Sequence, residues 1–401
     1  MIIKKDGHTS TKNISVNDFS GGDLGVPGGA CGLLAVAGDF SLDALLKAAR
    51  CLQYRGRTGA GVTLKSLYKD TGFFNFHIMF RSEDKIGELD NVLSNMGLRI
   101  LEKRDMVQRK YYYEYDLPVI MHYSIVPPSP EEMMYRERIS IEAEYIAKVV
   151  SRFNRKYIDD ARIFSSSRSN GTFLTAFELE DTIEIYNIHQ FEDQYYDACL
   201  IHLRWPTSQG RGLWWGPQPI SLGEMAGVHN GHLSSDMSNA RALEQLDIML
   251  TAGTDSEAIF LSVEYLLNQG YSLEEIEWVL CRKFPQELAS MAPEKLEKYN
   301  ELMSDPLLFR MKMSGPATAI TMVEDVIVGF TDRDHLRSFS VGVNDKIALL
   351  GSEQRAVISA AYFMHEELNM YDPEAGKIVG FSVKDKKVTK LDYGWKKDDS
   401  K

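Results

Sequence analysis

The chain has 401 residues, of which 44% are apolar and 25% charged, and its formal net charge is −12 at pH 7. This length suffices for one large domain or two medium ones with a sizeable core. The acidic charge argues against nucleic acid as the main partner, because binding to a phosphate backbone needs a basic surface. No apolar run approaches the roughly 18 residues that span a bilayer, so we predict no membrane association.

The cysteines show neither pairing nor ligand spacing. Cys31, Cys51, Cys199 and Cys281 are scattered, without a C-x-x-C pair or a histidine at zinc-ligand spacing. This pattern predicts no disulfide framework and no metal site, and it is typical of a reducing compartment. The first thirty residues also lack the apolar segment of a signal peptide. We therefore predict a cytoplasmic protein.

The first segment, residues 1–30, is polar and glycine-rich, and we interpret it as a leader or propeptide. Small residues at 28–30 precede Cys31, and the apolar run at 33–37 predicts a buried strand after it. If the bond before Cys31 is cut, the new α-amino group can serve as general base for the thiol of the same residue. The alternative is an ordinary buried cysteine, because free cysteine is among the most buried residue types.

A helix and a second core strand follow. Ser41 is a candidate N-cap for a helix through Leu52, and residues 59–64 predict the strand. Between them, glycines are dense around Arg55, which lets the backbone approach another group closely. The alternative is a helix C-cap with a turn into the next strand.

Residues 68–196 are interpreted as an inserted unit. Its predicted order, β-α-β-β-α-β, is that of the ferredoxin-like split motif. The predicted strands cover 73–80, 98–101, 117–126 and 162–167, and the predicted helices cover 84–96 and 131–153. A further strand is predicted at 172–178.

The next strand, predicted at 197–203, runs into the motif His202-Leu203-Arg204-Trp205-Pro206-Thr207. Arginine suits bidentate recognition of a carboxylate, and loops at strand ends commonly carry binding groups. The alternative for Arg204 is an arginine whose charged end reaches solvent beside a loop tryptophan.

After a short strand predicted at 224–228, the chain reads His229-Asn230-Gly231. The amide of Asn230 and the backbone N–H of Gly231 can together form an oxyanion hole. The alternative is a hairpin turn, because Asn-Gly is a strong turn dipeptide.

Thr254-Asp255-Ser256-Glu257 spells a capping box at the start of a helix. The carboxylate of Asp255 is a candidate ligand for an ammonium group, which is compatible with the cap. Helices are predicted at 272–312, short strands at 317–383, and a charged tail at 386–401.

The order Cys-Gly, Arg-Gly, H-x-R-W, H-N-G and D-S-E resembles the class II glutamine amidotransferases, which are N-terminal-nucleophile hydrolases. The finer resemblance is to the glutaminase domain of glutamate synthase, which also carries a long insertion between the two arginine motifs. Further matches are the runs at 214–219, 314–320, 331–337 and 351–353. The resemblance covers about residues 31–385.

The resemblance implies an α+β fold, namely a four-layer αββα sandwich with a ferredoxin-like insertion. It implies that Cys31 is the nucleophile, and that Asn230 and Gly231 hold the oxyanion. It implies that Arg204 binds the α-carboxylate of glutamine and Asp255 its α-ammonium. The other residues that it places in the substrate site are Arg55, Trp205, Thr207 and His229.

The implied activity is hydrolysis of L-glutamine to glutamate and ammonia through a Cys31 thioester. No cofactor is expected in this chain, and the ammonia is expected to pass to glutamate-synthase-type subunits that carry FMN and an iron–sulfur cluster. The family's D-R-N-G-L-R-P appears as residues 332–338 with Asp334-His335, and His232-Leu233-Ser234 replaces Glu-Ile-Asn. These departures leave open a non-catalytic scaffold or regulatory subunit, or an amidotransferase with a different acceptor. A nucleophile hydrolase acting on another amide is a further alternative, against which Arg204 and Asp255 argue.

Overall fold

The computed structural model describes residues 30–69, 72–115, 117–205, 216–384 and 386–397. It combines helices with antiparallel sheets, as the predicted α+β class requires. Of the predicted leader, only Ala30 lies within the described residues. No helix in those ranges combines the length and the apolar character that crossing a membrane requires.

The strands alternate with helices in the first half of the chain and cluster in the last quarter. They are β1 (Gly32–Gly38), β2 (Ala60–Leu64), β3 (Phe74–Phe80), β4 (Arg99–Asp105), β5 (Val119–Val126), β6 (Ala161–Ser167), β7 (Gly171–Thr175), β8 (Ala198–Leu203), β9 (Ile220–Leu222), β10 (Met225–Gly231), β11 (Ala317–Val323), β12 (Val326–Thr331), β13 (Ser340–Val343), β14 (Ile347–Gly351), β15 (Asn369–Tyr371), β16 (Ile378–Lys384) and β17 (Lys387–Leu391).

The helices include a run of six between β10 and β11. They are α1 (Leu42–Ala49), α2 (Lys85–Asn95), α3 (Arg109–Tyr115), α4 (Pro130–Glu137), α5 (Glu142–Lys156), α6 (Leu179–Ile185), α7 (Asp236–Gln245), α8 (Asp255–Asn268), α9 (Leu273–Cys281), α10 (Pro285–Ala289), α11 (Pro293–Ser304), α12 (Pro306–Arg310) and α13 (Gln354–Met364). Short 3-10 helices cover Arg50–Leu52 and Ile188–Phe191.

Three sheets organise the described residues, and the neighbouring strands in each are antiparallel. The first sheet has the order β15-β13-β14-β1-β8-β2-β7, and the second has the order β17-β16-β12-β11-β10-β9. The third has the order β4-β5-β3-β6. The strand that follows the predicted nucleophile therefore lies in the middle of the first sheet, because β1 pairs with β14 on one side and β8 on the other.

β1 is buried on both faces, which explains its unbroken apolar run. Leu33 and Ala35 pack with Val228 of β10 between the first and second sheets. Leu34 and Val36 point the other way and pack with residues of α1 and α13. Side chains of a strand alternate between its faces, so β1 contributes to two cores at once.

The outer face of the second sheet is covered by α8 and α9. Phe260 of α8 and Val279 of α9 share one core with Phe330 of β12. α8 lies close to β10, since a Cβ built on Gly227 would lie 2.4 Å from the ring of Phe260. The start of α8 is thereby held against the end of the strand that carries the H-N-G motif.

Most elements predicted for residues 68–196 are confirmed, with several differences. The strands predicted at 73–80, 117–126 and 162–167 correspond to β3, β5 and β6, while the strand at 98–101 extends to Asp105 as β4. The prediction of one helix at 131–153 is wrong. α4 ends at Arg138, which adopts a left-handed φ of 60° that no continuing helix permits, and α5 begins at Glu142. In addition, α3, α6 and the 3-10 helix at Ile188–Phe191 were not predicted.

Candidate functional site

The thiol of Cys31 lies against the main chain at the end of β8. Its Sγ is 3.4 Å from the backbone N of Trp205 and 3.5 Å from the carbonyl O of the same residue. Cys31 is 8% exposed. Burial raises the pKa of the Cys31 thiol, while the Trp205 hydrogen bond and the positive charges of Arg204, Arg55 and Arg337 act in the opposite direction.

Arg204 follows β8 directly and stands beside Cys31 across the sheet. Its backbone N donates to the carbonyl O of Gly59 at 2.7 Å, and its own carbonyl accepts from Thr58. Its guanidinium packs on the backbone of Gly216, where a Cβ would lie 2.2 Å from Arg204 Cζ. Burial lowers the pKa of Arg204, and the nearby thiol of Cys31 raises it. The geometry places a desolvated cation next to the thiol.

Arg55 contacts the main chain of Cys31. Its Nε donates to the Cys31 carbonyl O at 3.1 Å, and its Nη1 pairs with Glu353. Two of the three guanidinium nitrogens of Arg55 are therefore engaged by the protein. Arg55 therefore bridges the Cys31 carbonyl and the carboxylate of Glu353.

The H-N-G motif lies in β10 rather than after it. Strand β10 extends to Gly231, and Asn230 and Gly231 face Thr318 and Ala317 of β11 in the ladder. The alternative of a hairpin turn at Asn-Gly is therefore wrong. Close packing requires the glycine, since a Cβ on Gly231 would lie 1.9 Å from the carbonyl O of Pro316.

Strand alternation directs Asn230 and His229 to different sides of the second sheet. Val228 packs in the core shared with Cys31, so Asn230, two residues on, faces the first sheet. Its Nδ2 is buried without a hydrogen-bond partner among the described residues. A buried, unpartnered donor is rare, because it forfeits a hydrogen bond to water. This atom is available to a ligand.

His229 faces α8. Its Nδ1 is 2.9 Å from Ser256 Oγ, and its backbone N donates to Gln218 Oε1 at 2.7 Å. Gln218 completes the network by donating to Ser256 Oγ at 3.0 Å. Burial lowers the pKa of His229 to about 4, so its imidazole is neutral at pH 7. The contacts of His229 tie β10 to the start of α8.

Asp255 begins α8, but its carboxylate is already partly bound. Oδ2 accepts from the backbone N of Leu233 at 2.9 Å, and Oδ1 accepts from that of Ser256 at 2.9 Å. His232, one of the departures from the family pattern, places its Nδ1 3.7 Å from Asp255 Oδ2. Asp255 therefore joins the end of β10 to α8.

The predicted capping box is only half formed. Thr254 Oγ1 accepts from the backbone N of Glu257 at 3.2 Å, as predicted. The carboxylate of Glu257, however, does not reach back to Thr254. It accepts from the backbone N–H groups of Thr251, Ala252 and Gly253 at 2.5–2.9 Å. The buried carboxylate orders the loop before α8 instead, because three successive donors satisfy it better than one.

Two residues near the thiol were matched to family patterns in the sequence but not predicted as site residues. Glu353 pairs with Arg55, and the positive charge of Arg337 acts on both Cys31 and His229. The Nε of Arg337 is buried without a partner among the described residues. The motifs that contain Arg337 and Glu353 can be recognised in the sequence. A single sequence does not show which groups a loop arginine or a helix-cap glutamate contacts.

The structure brings the predicted residues together in two adjoining groups. The first contains Cys31, Arg204, Trp205 and Arg55, which are joined by direct contacts. The second contains His229, Asn230, Gly231 and Asp255, at the end of β10 and the start of α8. Thr207 lies outside the described residues.

Comparison with known proteins gives distant similarities. No family model matches the chain. An uncharacterized protein of Archaeoglobus fulgidus is 26% identical over 349 residues, which is 82% of this chain and 86% of that protein. Two solved structures are similar at 12% identity over 90% of the chain. They are a B. subtilis glutamine phosphoribosylpyrophosphate amidotransferase complexed with ADP and GMP, with a TM-score of 0.41, and the allosteric regulatory enzyme of purine biosynthesis, with a TM-score of 0.43. The chain spans 49% of the length of each of these two structures.

Proposed function

We propose that this chain is a class II glutamine amidotransferase subunit that hydrolyses L-glutamine at Cys31. One observation carries the proposal: a buried thiol at the start of a central strand lies beside a desolvated arginine and faces the sheet that holds an unpartnered asparagine amide. A nucleophile, a cation for a carboxylate and a donor for an oxyanion are the groups that acyl transfer from an amino acid amide requires.

The nucleophile requires cleavage of the bond between Ala30 and Cys31. While Ala30 is attached, the nitrogen of Cys31 is an amide and cannot accept a proton. A free α-amino group titrates near 7.7–8.0 and a thiol near roughly 8.5. Proton transfer between them is therefore nearly balanced at neutral pH, which favours general base catalysis. The positive charges around Cys31 then stabilise the thiolate that attacks the carboxamide.

The tetrahedral intermediate carries an oxyanion, for which Asn230 Nδ2 and the Gly231 N–H are the proposed donors. One such donor is worth about 3 kcal/mol of transition-state stabilisation. Ammonia then leaves, and water hydrolyses the glutamyl thioester to glutamate. The buried and unpartnered state of Asn230 Nδ2 supports this role.

The presence of an arginine and an aspartate among the predicted site residues supports a zwitterionic substrate. Arg204 is proposed to bind the α-carboxylate, and Asp255 the α-ammonium. Trp205 and Thr207 are proposed to close over the bound amino acid. Arg55 is proposed to complete the substrate site, and His229 is proposed to support it by tying β10 to the start of α8.

We propose that the chain has the N-terminal-nucleophile hydrolase fold, which is a four-layer αββα sandwich. Helices α1 and α13 on one sheet, the core between the two sheets, and helices α8 and α9 on the other support this assignment. We also propose that β3 to β6 form a ferredoxin-like insertion, which the antiparallel order β4-β5-β3-β6 supports.

The proposed acceptor of ammonia is a glutamate-synthase-type partner that aminates 2-oxoglutarate or a related acid. FMN and an iron–sulfur cluster are proposed for that partner, and no step of glutamine hydrolysis at Cys31 uses them.

The four cysteines are unpaired, which supports a reducing, cytoplasmic compartment.

The test is to measure the intact mass of the purified protein and its release of glutamate from glutamine. We expect a mass that begins at Cys31, and stoichiometric labelling of Cys31 by a glutamine-like electrophile. Cys31→Ala should abolish glutamate release and labelling while the protein stays folded, because little volume is lost. A chain that still carries residues 1–30 and hydrolyses glutamine would refute the proposed base. A cleaved chain that neither reacts nor hydrolyses would favour the scaffold alternative.

A further inference from the structure

The carboxylate of Glu353 is the meeting point of three donors. It precedes α13 and accepts from the hydroxyl of Tyr54, from Nη1 of Arg55, and from Nε of Arg355 at 2.8 Å. The side chains of Arg55 and Glu353 are only 13% and 16% exposed. A partly buried ion pair with additional hydrogen bonds holds its geometry better than a solvated pair.

The same segment of chain also holds the main chain after Cys31. Ser352 donates its backbone N to the carbonyl O of Leu33 at 3.0 Å, and its Oγ accepts from the backbone N of Leu33 at 2.9 Å. Through Arg55, Glu353 adds a bond to the carbonyl O of Cys31 at 3.1 Å. Ser352 therefore holds Leu33 directly. Glu353 holds the Cys31 carbonyl through the planar guanidinium of Arg55.

A residue that becomes an N-terminus loses the peptide bond that would otherwise restrain it from behind. Only its carbonyl group, its side chain and the pairing of later residues then fix the positions of the amine and the thiol. A misplacement of about 1 Å in a reacting group can reduce a rate about a hundredfold. A rigid donor on the Cys31 carbonyl is thus well placed to keep the amine beside Sγ.

We propose that Glu353 is a positioning residue, which holds Arg55 on the Cys31 carbonyl and so aligns the amine and thiol for reaction. This inference rests on the proposed function. Without Glu353, the guanidinium of Arg55 lacks its counter-ion and is no longer held on the Cys31 carbonyl.

The test uses the full chain with Glu353→Gln, which keeps the shape of the side chain and removes its charge. We expect kcat for glutamine hydrolysis to fall about tenfold to a hundredfold with KM within about twofold, because alignment rather than binding is lost. Glu353→Asp, which keeps the carboxylate, should recover part of kcat. Glu366→Gln is the matched control, since Glu366 is a similarly shielded carboxylate that pairs with Lys346 and Asn344 and does not contact the site.

A second readout follows the pH dependence of Cys31 alkylation by iodoacetamide and needs no glutamine. In Glu353→Gln, the unneutralised charge of Arg55 should lower the midpoint on the order of half a pH unit, less than a direct contact would. The groups that face the thiol are the guanidiniums of Arg204, Arg55 and Arg337. A purely structural role would lower the melting temperature without moving this midpoint.

If Glu353→Gln does not fold, Arg55→Lys replaces it. The lysine keeps the charge beside Glu353 but cannot bond the carboxylate and the Cys31 carbonyl in the same fork, so kcat should fall while the midpoint stays. An unchanged kcat and midpoint in the folded variant would overturn the proposal. If Cys31 of the wild type is alkylated but the protein does not hydrolyse glutamine, the proposed function fails. The alkylation midpoint of Glu353→Gln then still tests whether Glu353 neutralises Arg55 beside the thiol.

Discussion

At the scale of single residues, Cys31 is subject to two opposed effects. Burial raises the pKa of its thiol, whereas three guanidiniums and the Trp205 backbone favour the thiolate. Because burial has the larger effect, the thiol of the chain with Ala30 attached stays protonated at neutral pH. A thiol of this kind needs a base at short range, and the proposed cleavage would supply one as the α-amino group of the same residue.

Asn230 provides a test of the oxyanion donor. Asn230→Asp keeps the shape of the side chain but replaces the amide donor with a second oxygen. We expect kcat to fall by about 10²–10³ with little change in KM, because the lost bond forms only in the transition state. Steady-state glutaminase kinetics measure this, with far-UV circular dichroism to verify folding. A variant with normal kcat would remove Asn230 from the oxyanion site.

Gly216 provides a test of the carboxylate site. In Gly216→Ala, the new Cβ would overlap the guanidinium of Arg204, which must then move. We expect the KM for glutamine to rise about tenfold or more, as expected when an ion pair to the substrate is weakened. Gly87→Ala is a control for a glycine-to-alanine change, since a Cβ there meets nothing within 4 Å and the backbone does not require glycine. Equal KM values in wild type and Gly216→Ala would contradict the placement of substrate at Arg204.

At the scale of elements, the break between α4 and α5 has an energetic consequence. Arg138 ends α4 with a left-handed φ of 60°, a conformation that costs roughly 1–2 kcal/mol for a residue with a Cβ. Arg138→Gly should therefore raise the free energy of unfolding by about 0.5–1 kcal/mol, since glycine adopts this conformation without strain.

Urea unfolding of the wild type and Arg138→Gly measures this difference as a higher midpoint. Met134→Gly, in the middle of α4 at a half-exposed side chain, is the opposite control and should be destabilising by about 1 kcal/mol. A lower midpoint for Arg138→Gly would mean that the side chain of Arg138 contributes more than its backbone strain costs.

The elements differ in how well the sequence predicts them. β1 and α1 were predictable, because apolar periodicity and the Ser41 cap are local signals. The break at Arg138 was not, because no glycine or proline marks it. The hairpin alternative at Asn230-Gly231 failed for a similar reason. Turn propensity is local, whereas pairing of β10 with β11, about ninety positions later, overrides it.

At the scale of the whole molecule, four buried histidines make stability depend on pH. Burial lowers the pKa of His77 and His202 to about 3, and that of His122 and His229 to about 4. The unfolded chain binds protons at these residues below about pH 6.5, whereas the folded chain does not. Their contribution to stability is therefore complete above pH 6.5 and is lost progressively as the pH falls towards 4.

We expect the free energy of unfolding to be lower at pH 5 than at pH 7 by several kcal/mol, since each histidine contributes up to about 2 kcal/mol. Urea unfolding at the two pH values measures this difference. His122→Gln should reduce it, because His122 is one of the four contributors. Equal midpoints at pH 5 and pH 7 would show that these histidines are protonated in the folded protein.

For the candidate site as a whole, the sequence predicts the types of residue better than the contacts between them. Cys31, Arg204, Asn230 and Asp255 could be named because each lies in a short motif at a strand or helix end. The contact of Glu353 with Arg55 joins positions about three hundred residues apart, and no local pattern encodes it. The same holds for Glu257, whose capping signature was correct but whose carboxylate serves the preceding loop.

The position of β1 in the middle of its sheet bears on how the leader can be removed. A protease binds its target as an extended segment of several residues, yet the chain from Gly32 onwards is hydrogen-bonded on both edges and covered on both faces. On the carboxyl side of the proposed cut, the described residues therefore offer no such segment to an outside enzyme. If residues 1–30 are removed after folding, we expect the scission to be an internal event driven by Cys31, so dilution of the protein should not slow it.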